Sequence, residues 1–230
     1  EFASIPDMDG QAARVMLLVD EPGTRRMFVN DMRGPLYSLS YDGRTVTRYL
    51  DVNAGHWEVS VESTGRERGM QSFAFHPQFA QADTPGFGKF YTAYSTGSGS
   101  GVADYLDDDA ESHESVIREW TARDPSASVF SGSSREVFRI GQFAQNHNIG
   151  TIAFNPHAAA GSSDYGMLYA CLGDAGAAHD PRDHGQTLAV PHGAIIRIDP
   201  LAGDTNRRYG IPSDNPFVGT DGVAPEIWAY

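Results

Sequence analysis

Cysteine is nearly absent from this sequence, since Cys171 is the single cysteine among 230 residues. One cysteine excludes an internal disulfide and any metal cluster built on several thiolates. Cys171 lies in the apolar run 168–172, where a cysteine is expected to pack in the core as a small hydrophobic residue. Scarce cysteine is compatible with export from a bacterial cell.

Positive charge and long apolar runs are also scarce. Lysine and arginine total 17 against 30 acidic residues, which gives a net charge of -13. An acidic surface repels phosphate backbones, so a nucleic-acid partner is not expected, whereas a neutral sugar or another small molecule is not disfavoured. No apolar stretch approaches the ~18 residues that a membrane span requires.

Helical periodicity is missing as well, and the chain consists instead of short apolar and aromatic runs bounded by turn residues. Such runs are typical of β-strands, and the 25 glycines and 13 prolines indicate many turns. The sequence therefore predicts a nearly all-β protein. The clearest strand candidates are Met27–Val29, Leu36–Leu39, Phe73–Phe75, Phe90–Tyr94, Val137–Ile140 and Ala194–Ile198.

Two motifs recur with a similar period. The segment 73–77 (Phe-Ala-Phe-His-Pro) returns as 152–156 (Ile-Ala-Phe-Asn-Pro), and the alanines Ala74 and Ala153 lie 79 residues apart. A strand that runs into an acidic turn ends at Asp42, Asp124 and Asp199, which are 82 and 75 residues apart.

This period predicts one four-stranded antiparallel sheet per repeat. A single sheet cannot cover both of its faces, but sheets stacked radially on one another can, and that arrangement is a β-propeller. The chain would then supply about three blades, fewer than the ~4–8 of a closed ring. A complete β-sandwich with an accidental repeat is the alternative.

The polar loop 146–150 (Asn-His-Asn-Ile-Gly) holds the best catalytic candidate, His147. A histidine at a strand entrance can act as a general base near neutral pH, or it can simply bond within its turn. Asp174 follows another strand and could orient the imidazole, or cap its own turn. The loop that carries Glu67 occupies the same place in the preceding repeat, so both loops are expected at one end of the propeller.

Two further polar segments suggest metal sites, although each has a simpler interpretation. Calcium favours several oxygen ligands, but the acidic residues of segment 104–111 lack a calcium-loop pattern and are expected to be solvated. Segment 179–184 contains two histidines interrupted by Pro181 and is expected to be a polar loop. No metal ligand is assigned. The acidic residues concerned are Asp104, Asp107, Asp108, Asp109 and Glu111.

Six stretches of the chain, taken in order, carry a family resemblance: 67–79, 146–150, 168–174, 193–199, 214–217 and 226–230. Together they resemble the pyrroloquinoline quinone (PQQ)-dependent soluble glucose/sorbosone dehydrogenases, a family of aldose sugar dehydrogenases. The chain departs from the family pattern at Ile149, Gly150 and Thr151 after the histidine, and at Ala194 after Gly193.

The resemblance implies a six-bladed propeller with PQQ and calcium at its mouth, of which residues 1–230 form the N-terminal half of a single domain. It implies that His147 takes the proton from the C1 hydroxyl of an aldose or similar alcohol while the hydride passes to PQQ. Asp174 would support His147, and Glu67 and Asn146 would contact the substrate. Most cofactor and calcium contacts would follow Tyr230, so the segment alone is expected to be inactive.

The resemblance also implies a periplasmic or secreted protein that passes electrons to an external acceptor. Two other functions stay open. One is a non-catalytic propeller that binds a protein or a glycan. Hedgehog-interacting proteins resemble this family in that way. The other is a calcium-dependent lactonase on a similar propeller, which would require acidic and amide metal ligands at the channel.

Overall fold

The computed structural model describes residues 2–106 and 112–230. Its regular structure is β-strand apart from two short 3₁₀ turns, at Gly55–Trp57 and His184–Gln186, so the all-β prediction is confirmed for the described residues. No helix in these two ranges is long and apolar enough to cross a membrane. The strands are β1 (Val15–Glu21), β2 (Arg26–Asp31), β3 (Pro35–Leu39), β4 (Val46–Asp51), β5 (Met70–Phe75), β6 (Lys89–Thr96), β7 (His113–Ala122), β8 (Gly132–Gln142), β9 (Ile149–Phe154), β10 (Leu168–Leu172), β11 (Ile195–Ile198) and β12 (Ile227–Ala229).

The strands form three four-stranded antiparallel sheets, β1–β4, β5–β8 and β9–β12, each paired in chain order. The repeated alanines occupy equivalent positions, since Ala74 pairs with Tyr91 and Ala153 pairs with Tyr169. The second motif falls on β3, β7 and β11, the third strand of every sheet. The sequence repeat therefore corresponds to one sheet per period, as predicted.

Consecutive sheets join through the first strand of the later sheet. The Ser72 hydroxyl of β5 accepts the Ile152 amide of β9 at 3.0 Å. At the preceding junction, the Met70 amide donates to the Met32 carbonyl at 2.7 Å, and the Asn30 side chain donates to the Met70 carbonyl at 2.6 Å. Each sheet thus packs on its neighbours in the radial arrangement of propeller blades.

The middle sheet separates two cores. Side chains alternate between the faces of a strand, and on β6 the fully buried Phe90 points to the first core while Tyr91 points to the second. The first core is rich in aromatic rings, with Phe90 and Trp120 stacked at 6.3 Å. Because both faces of this sheet are covered, almost every residue of β6 and β7 is buried.

The prediction that Cys171 packs in the core is wrong, because its side chain is exposed. On β10 the alternate residues Leu168, Ala170 and Leu172 enter the second core, so Cys171 faces the other side of the third sheet. It pairs there with Ile195, which is also exposed. An apolar run in the sequence does not show whether one face or both faces of the sheet are covered.

The expectation of a solvated acidic loop is also wrong for Asp104. Its carboxylate accepts the Arg139 amide at 2.8 Å and pairs with Arg208 at 2.6 Å, which anchors the segment to the second sheet. Burial, only partly offset by these contacts, raises the pKa of Asp104. Asp107, Asp108, Asp109 and Glu111 lie outside the described residues.

Candidate active site

Antiparallel pairing in the third sheet brings the loop before β9 next to the loop after β10. Ile149 pairs with Leu172, and the Gly173 amide donates to the Asn148 carbonyl at 3.2 Å. A Cβ at Gly173 would lie 2.3 Å from the His147 carbonyl oxygen, so only glycine permits this approach. We call the end at which β5 and β9 begin the entrance end.

His147 and Asp174 meet at the entrance end. The imidazole Nδ1 lies 2.7 Å from Asp174 Oδ1, and the same oxygen accepts the Gly176 amide at 2.9 Å. Burial acts to raise the pKa of Asp174, but the hydrogen bonds from Gly176 and His147 outweigh it and lower the pKa below the ordinary value of 3.8. The carboxylate is therefore ionised near neutral pH.

The ionised carboxylate determines which ring nitrogen of His147 is basic. A carboxylate can only accept hydrogen bonds, so neutral His147 is assigned with its proton on Nδ1. That assignment leaves Nε2 with a free lone pair, and no residue in ranges 2–106 and 112–230 bonds to it. The side chain is 45% exposed, which leaves the ring accessible to a small molecule.

The backbone of His147 is held by the neighbouring sheet. His147 has a φ of 55°, in the left-handed region that L-residues adopt at a conformational cost. Its amide donates to Glu67 Oε2 at 2.7 Å. The loops that carry Glu67 and His147 thus lie at the same end, as their repeat positions predict, and the Glu67 side chain is partly committed to the loop.

The two asparagines beside His147 have different environments. The half-buried Asn146 accepts the Ala177 amide at 3.0 Å through Oδ1, so it ties its loop to the segment after Asp174. Asn148 is buried and bonds through Oδ1 to Nε2 of His113. Sequence reasoning missed His113, which belongs to another sheet and to a different polar segment.

The segment after Asp174 has an unusual backbone. Six of the ten described non-glycine residues with a positive φ lie at this end of the molecule. Such residues concentrate where the surrounding structure over-determines the chain, often at functional sites. These six are His147, Ala175, Ala177, His179, Asp180 and Asp183.

The polar segment 179–184 supports Asp174. The Asp180 carboxylate accepts the amides of His184 and Gly185 at 2.9 and 2.8 Å, the behaviour of a turn residue. His184 Nδ1 lies 3.0 Å from the Asp174 carbonyl, and its ring stacks on His192 at 4.6 Å. The segment predicted as a polar loop therefore holds the backbone of Asp174 in place.

The described residues at the entrance end do not fit a PQQ–calcium site by themselves. No group of three or more His, Cys, Asp or Glu side chains in residues 2–106 and 112–230 is arranged to hold a metal ion. Calcium requires several oxygen ligands. An anionic quinone next to His147 would also meet the carboxylates Glu67 and Asp174, which repel it. These residues offer an imidazole and hydrogen-bonding groups rather than a cofactor cradle.

Comparisons with known proteins agree with the fold. The family model described as Glucose / Sorbosone dehydrogenase matches residues 15–230. The HIPL1 protein of Arabidopsis thaliana is 26% identical over 257 residues, which cover 96% of this chain and 35% of that protein. The Hedgehog-interacting protein of Homo sapiens is 26% identical over 212 residues, which cover 90% of this chain and 27% of that protein.

Two solved structures have the same fold at low sequence identity. The soluble aldose sugar dehydrogenase of Escherichia coli, in its apo-form, has a TM-score of 0.59 and 21% identity. A Thermus thermophilus oxidoreductase of the glucose dehydrogenase type has a TM-score of 0.63 and 22% identity. Each match covers 94% of this chain and 50% of the solved chain, so the three sheets correspond to part of a propeller.

Proposed function

Since this chain belongs to the glucose/sorbosone dehydrogenase family, we propose that it supplies the general base of a dehydrogenase that oxidises the C1 hydroxyl of an aldose or similar alcohol. The observation that carries the proposal is the 2.7 Å contact between His147 Nδ1 and an ionised Asp174. This contact leaves Nε2 as the proton acceptor in an accessible ring. Residues 1–230 would be the N-terminal half of one propeller domain.

The contribution of this chain to the reaction is the proton transfer. His147 Nε2 takes the hydroxyl proton of the substrate, and the Asp174 charge stabilises the imidazolium that forms. Glu67 Oε1 and Asn146 Nδ2, which bond to no described residue, would orient hydroxyl groups of the substrate. The family resemblance implies PQQ with calcium as the hydride acceptor, and no residue of this chain is assigned to that step.

The resemblance also suggests a periplasmic or secreted enzyme that passes electrons to an external acceptor. The matched segment spans about half of the solved dehydrogenases. We therefore expect other residues of the intact protein to provide most contacts to PQQ and calcium.

The test is dye-linked sugar oxidation by the intact protein supplied with PQQ and calcium. His147→Ala should lower the rate by about 10²–10⁴-fold, the usual contribution of general-base catalysis, while PQQ binding is retained. His157→Ala is the matched control, because His157 is exposed on a turn after β9, beyond the opposite end of that strand. Unchanged turnover in His147→Ala would remove this residue from the mechanism.

The alternative is a non-catalytic propeller that binds a protein or a glycan. The matches to Hedgehog-interacting and HIPL proteins, at 24–26% identity, favour it. Wild-type protein that binds PQQ but oxidises none of a panel of aldoses and alcohols would support this alternative over the enzyme.

A further inference from the structure

The loop that carries Glu67 connects the first sheet to His147. We propose that Glu67 and Arg14 are positioning residues that together hold His147 in its working geometry across three sheets. The inference rests on the proposed function in that His147 is taken as the base. It concerns contacts between the loops around His147 rather than contacts with the substrate.

Arg14 fixes the Glu67 loop from the first sheet. It lies directly before β1, and its guanidinium donates to three backbone carbonyls, those of Ser63 at 2.8 Å, Gly65 at 3.0 Å and Arg66 at 3.3 Å. A guanidinium has several donors in a rigid plane, so one side chain can hold several carbonyls of a loop. A lysine could not reproduce this fork.

The backbone on either side of these contacts is closely packed. The carbonyl of Arg14 accepts the Met32 amide at 2.9 Å, and the Met32 carbonyl accepts the Met70 amide at 2.7 Å. Gly69 has a φ of 139°, and a Cβ there would lie 2.4 Å from the Met32 carbonyl oxygen. The loop before β5 is thus held at both ends, which limits where the Glu67 carboxylate can lie.

Glu67 connects the loop before β5 to the third sheet through a hydrogen bond. Its Oε2 accepts the His147 amide at 2.7 Å, and a carboxylate is a stronger acceptor than a neutral group. The left-handed backbone of His147 carries a conformational cost for an L-residue, and the hydrogen bond from its amide to another sheet stabilises it. Glu67 and His147 are 80 residues apart in the sequence. Ser72 of β5 and Ile152 of β9, which form the hydrogen bond between these two strands, have the same separation.

Two carboxylates therefore hold His147 from different sides. Asp174, in the same sheet, orients the ring, and Glu67, in the neighbouring sheet, orients the backbone. Because ring direction depends on both the side-chain and the backbone torsions, loss of either contact should misdirect Nε2. A misplacement of about 1 Å can cost up to about 10²-fold in rate.

The experiment compares five variants of the intact protein: Glu67→Ala, Glu67→Gln, Arg14→Ala, Arg14→Lys and, as control, Arg44→Ala. Arg44 is 86% exposed in a remote turn. The first readout needs no cofactor or substrate: the ¹⁵N chemical shifts of the two His147 ring nitrogens, which report the fraction with the proton on Nδ1. The second readout is kcat and KM for sugar oxidation.

Positioning predicts that Glu67→Ala and both Arg14 variants reduce the fraction protonated on Nδ1, and that kcat falls about 10–100-fold. Glu67→Gln should remain close to wild type in the ring signals, because its amide oxygen can still accept the His147 amide. Arg44→Ala should match wild type in both readouts.

Two results would overturn the proposal. One is unchanged ring signals in a folded Glu67→Ala protein. The other is a rise in KM at constant kcat for both Glu67 variants with no effect of Arg14→Ala, which would make Glu67 a substrate contact alone. If the wild type oxidises no sugar, the proposed function fails, but the ring signals still decide whether Glu67 and Arg14 position His147. Should Arg14→Ala not fold, the two Glu67 variants carry the test.

Discussion

Replacing Asp174 with asparagine removes the charge beside His147 while preserving the shape of the side chain. The amide oxygen of asparagine can still accept the Gly176 amide and Nδ1–H of His147, both of which bond to Asp174 Oδ1 in the wild type. The substitution therefore separates the charge from the geometry. If the amide turns its NH₂ group toward Nδ1, the proton moves to Nε2 and the basic nitrogen is lost.

The expected magnitude follows from the strength of the bond. A hydrogen bond to a charged group contributes about 1.5–3 kcal/mol and a neutral one about 0.5–1.5 kcal/mol. Because the His147 side chain is 45% exposed, solvent screening reduces the ground-state difference between the charged and the neutral hydrogen bond to about 1 kcal/mol. The difference grows as the ring becomes cationic in the transition state, and each 1.36 kcal/mol is tenfold in rate. We expect Asp174→Asn to lower kcat by about 10–100-fold.

The same substitution has a pH signature in the free energy of unfolding. The folded-state pKa of Asp174 lies below 3.8, so its stabilising contribution is complete above that value and is lost as the pH falls through the folded pKa. Urea denaturation at pH 7 should find Asp174→Asn less stable than wild type, and the gap should close on acidification below pH 3.8. A gap that stays constant with pH, or an unchanged kcat, would refute the role given to the Asp174 charge.

Three further substitutions test the fold by urea denaturation. Gly173→Ala would place a Cβ 2.3 Å from the His147 carbonyl oxygen, and this overpacking should lower the free energy of unfolding by about 1–3 kcal/mol. A variant as stable as wild type would show that the two loops do not approach so closely. Trp120→Ala empties a fully buried site and should cost about 3–5 kcal/mol, so a loss below ~1 kcal/mol would contradict the first core. Burial raises the pKa of Glu119, but its hydrogen bonds, chiefly from Arg135, lower it below 4.5. Glu119→Gln should therefore cost about 1–3 kcal/mol at pH 7 and less as the pH falls through the folded pKa, whereas a cost that does not change with pH would contradict its ionisation.

The sheet architecture could be predicted because it depends on local patterns that repeat. Ala74 and Ala153 lie in strands of equal length, Met70–Phe75 and Ile149–Phe154, each followed by a turn that contains a proline. The period of this pattern indicates one sheet per repeat. The side on which Cys171 lies could not be predicted in this way. Whether an alternate face of β10 is covered depends on what packs against it, which an apolar run does not record.

The contact between His147 and Asp174 could be anticipated for a related reason. Antiparallel pairing places the start of one strand beside the end of the next, so two residues distant in sequence meet at a sheet edge. The contacts of Arg14 with the loop before β5, and of His113 with Asn148, join different sheets. These contacts depend on the angle at which neighbouring sheets pack, and no spacing of residues in the sequence encodes that angle.

The bond from the His147 amide to Glu67 makes one backbone proton a sensor of inter-sheet motion. In a protein built from stacked sheets, each sheet contacts only its neighbours, so partial unfolding proceeds by separation at single junctions. The amide of His147 donates to a carboxylate of the adjoining sheet rather than within its own ladder. Its exchange rate would therefore report how often this contact between the second and third sheets opens, and each opening would also release the backbone of His147.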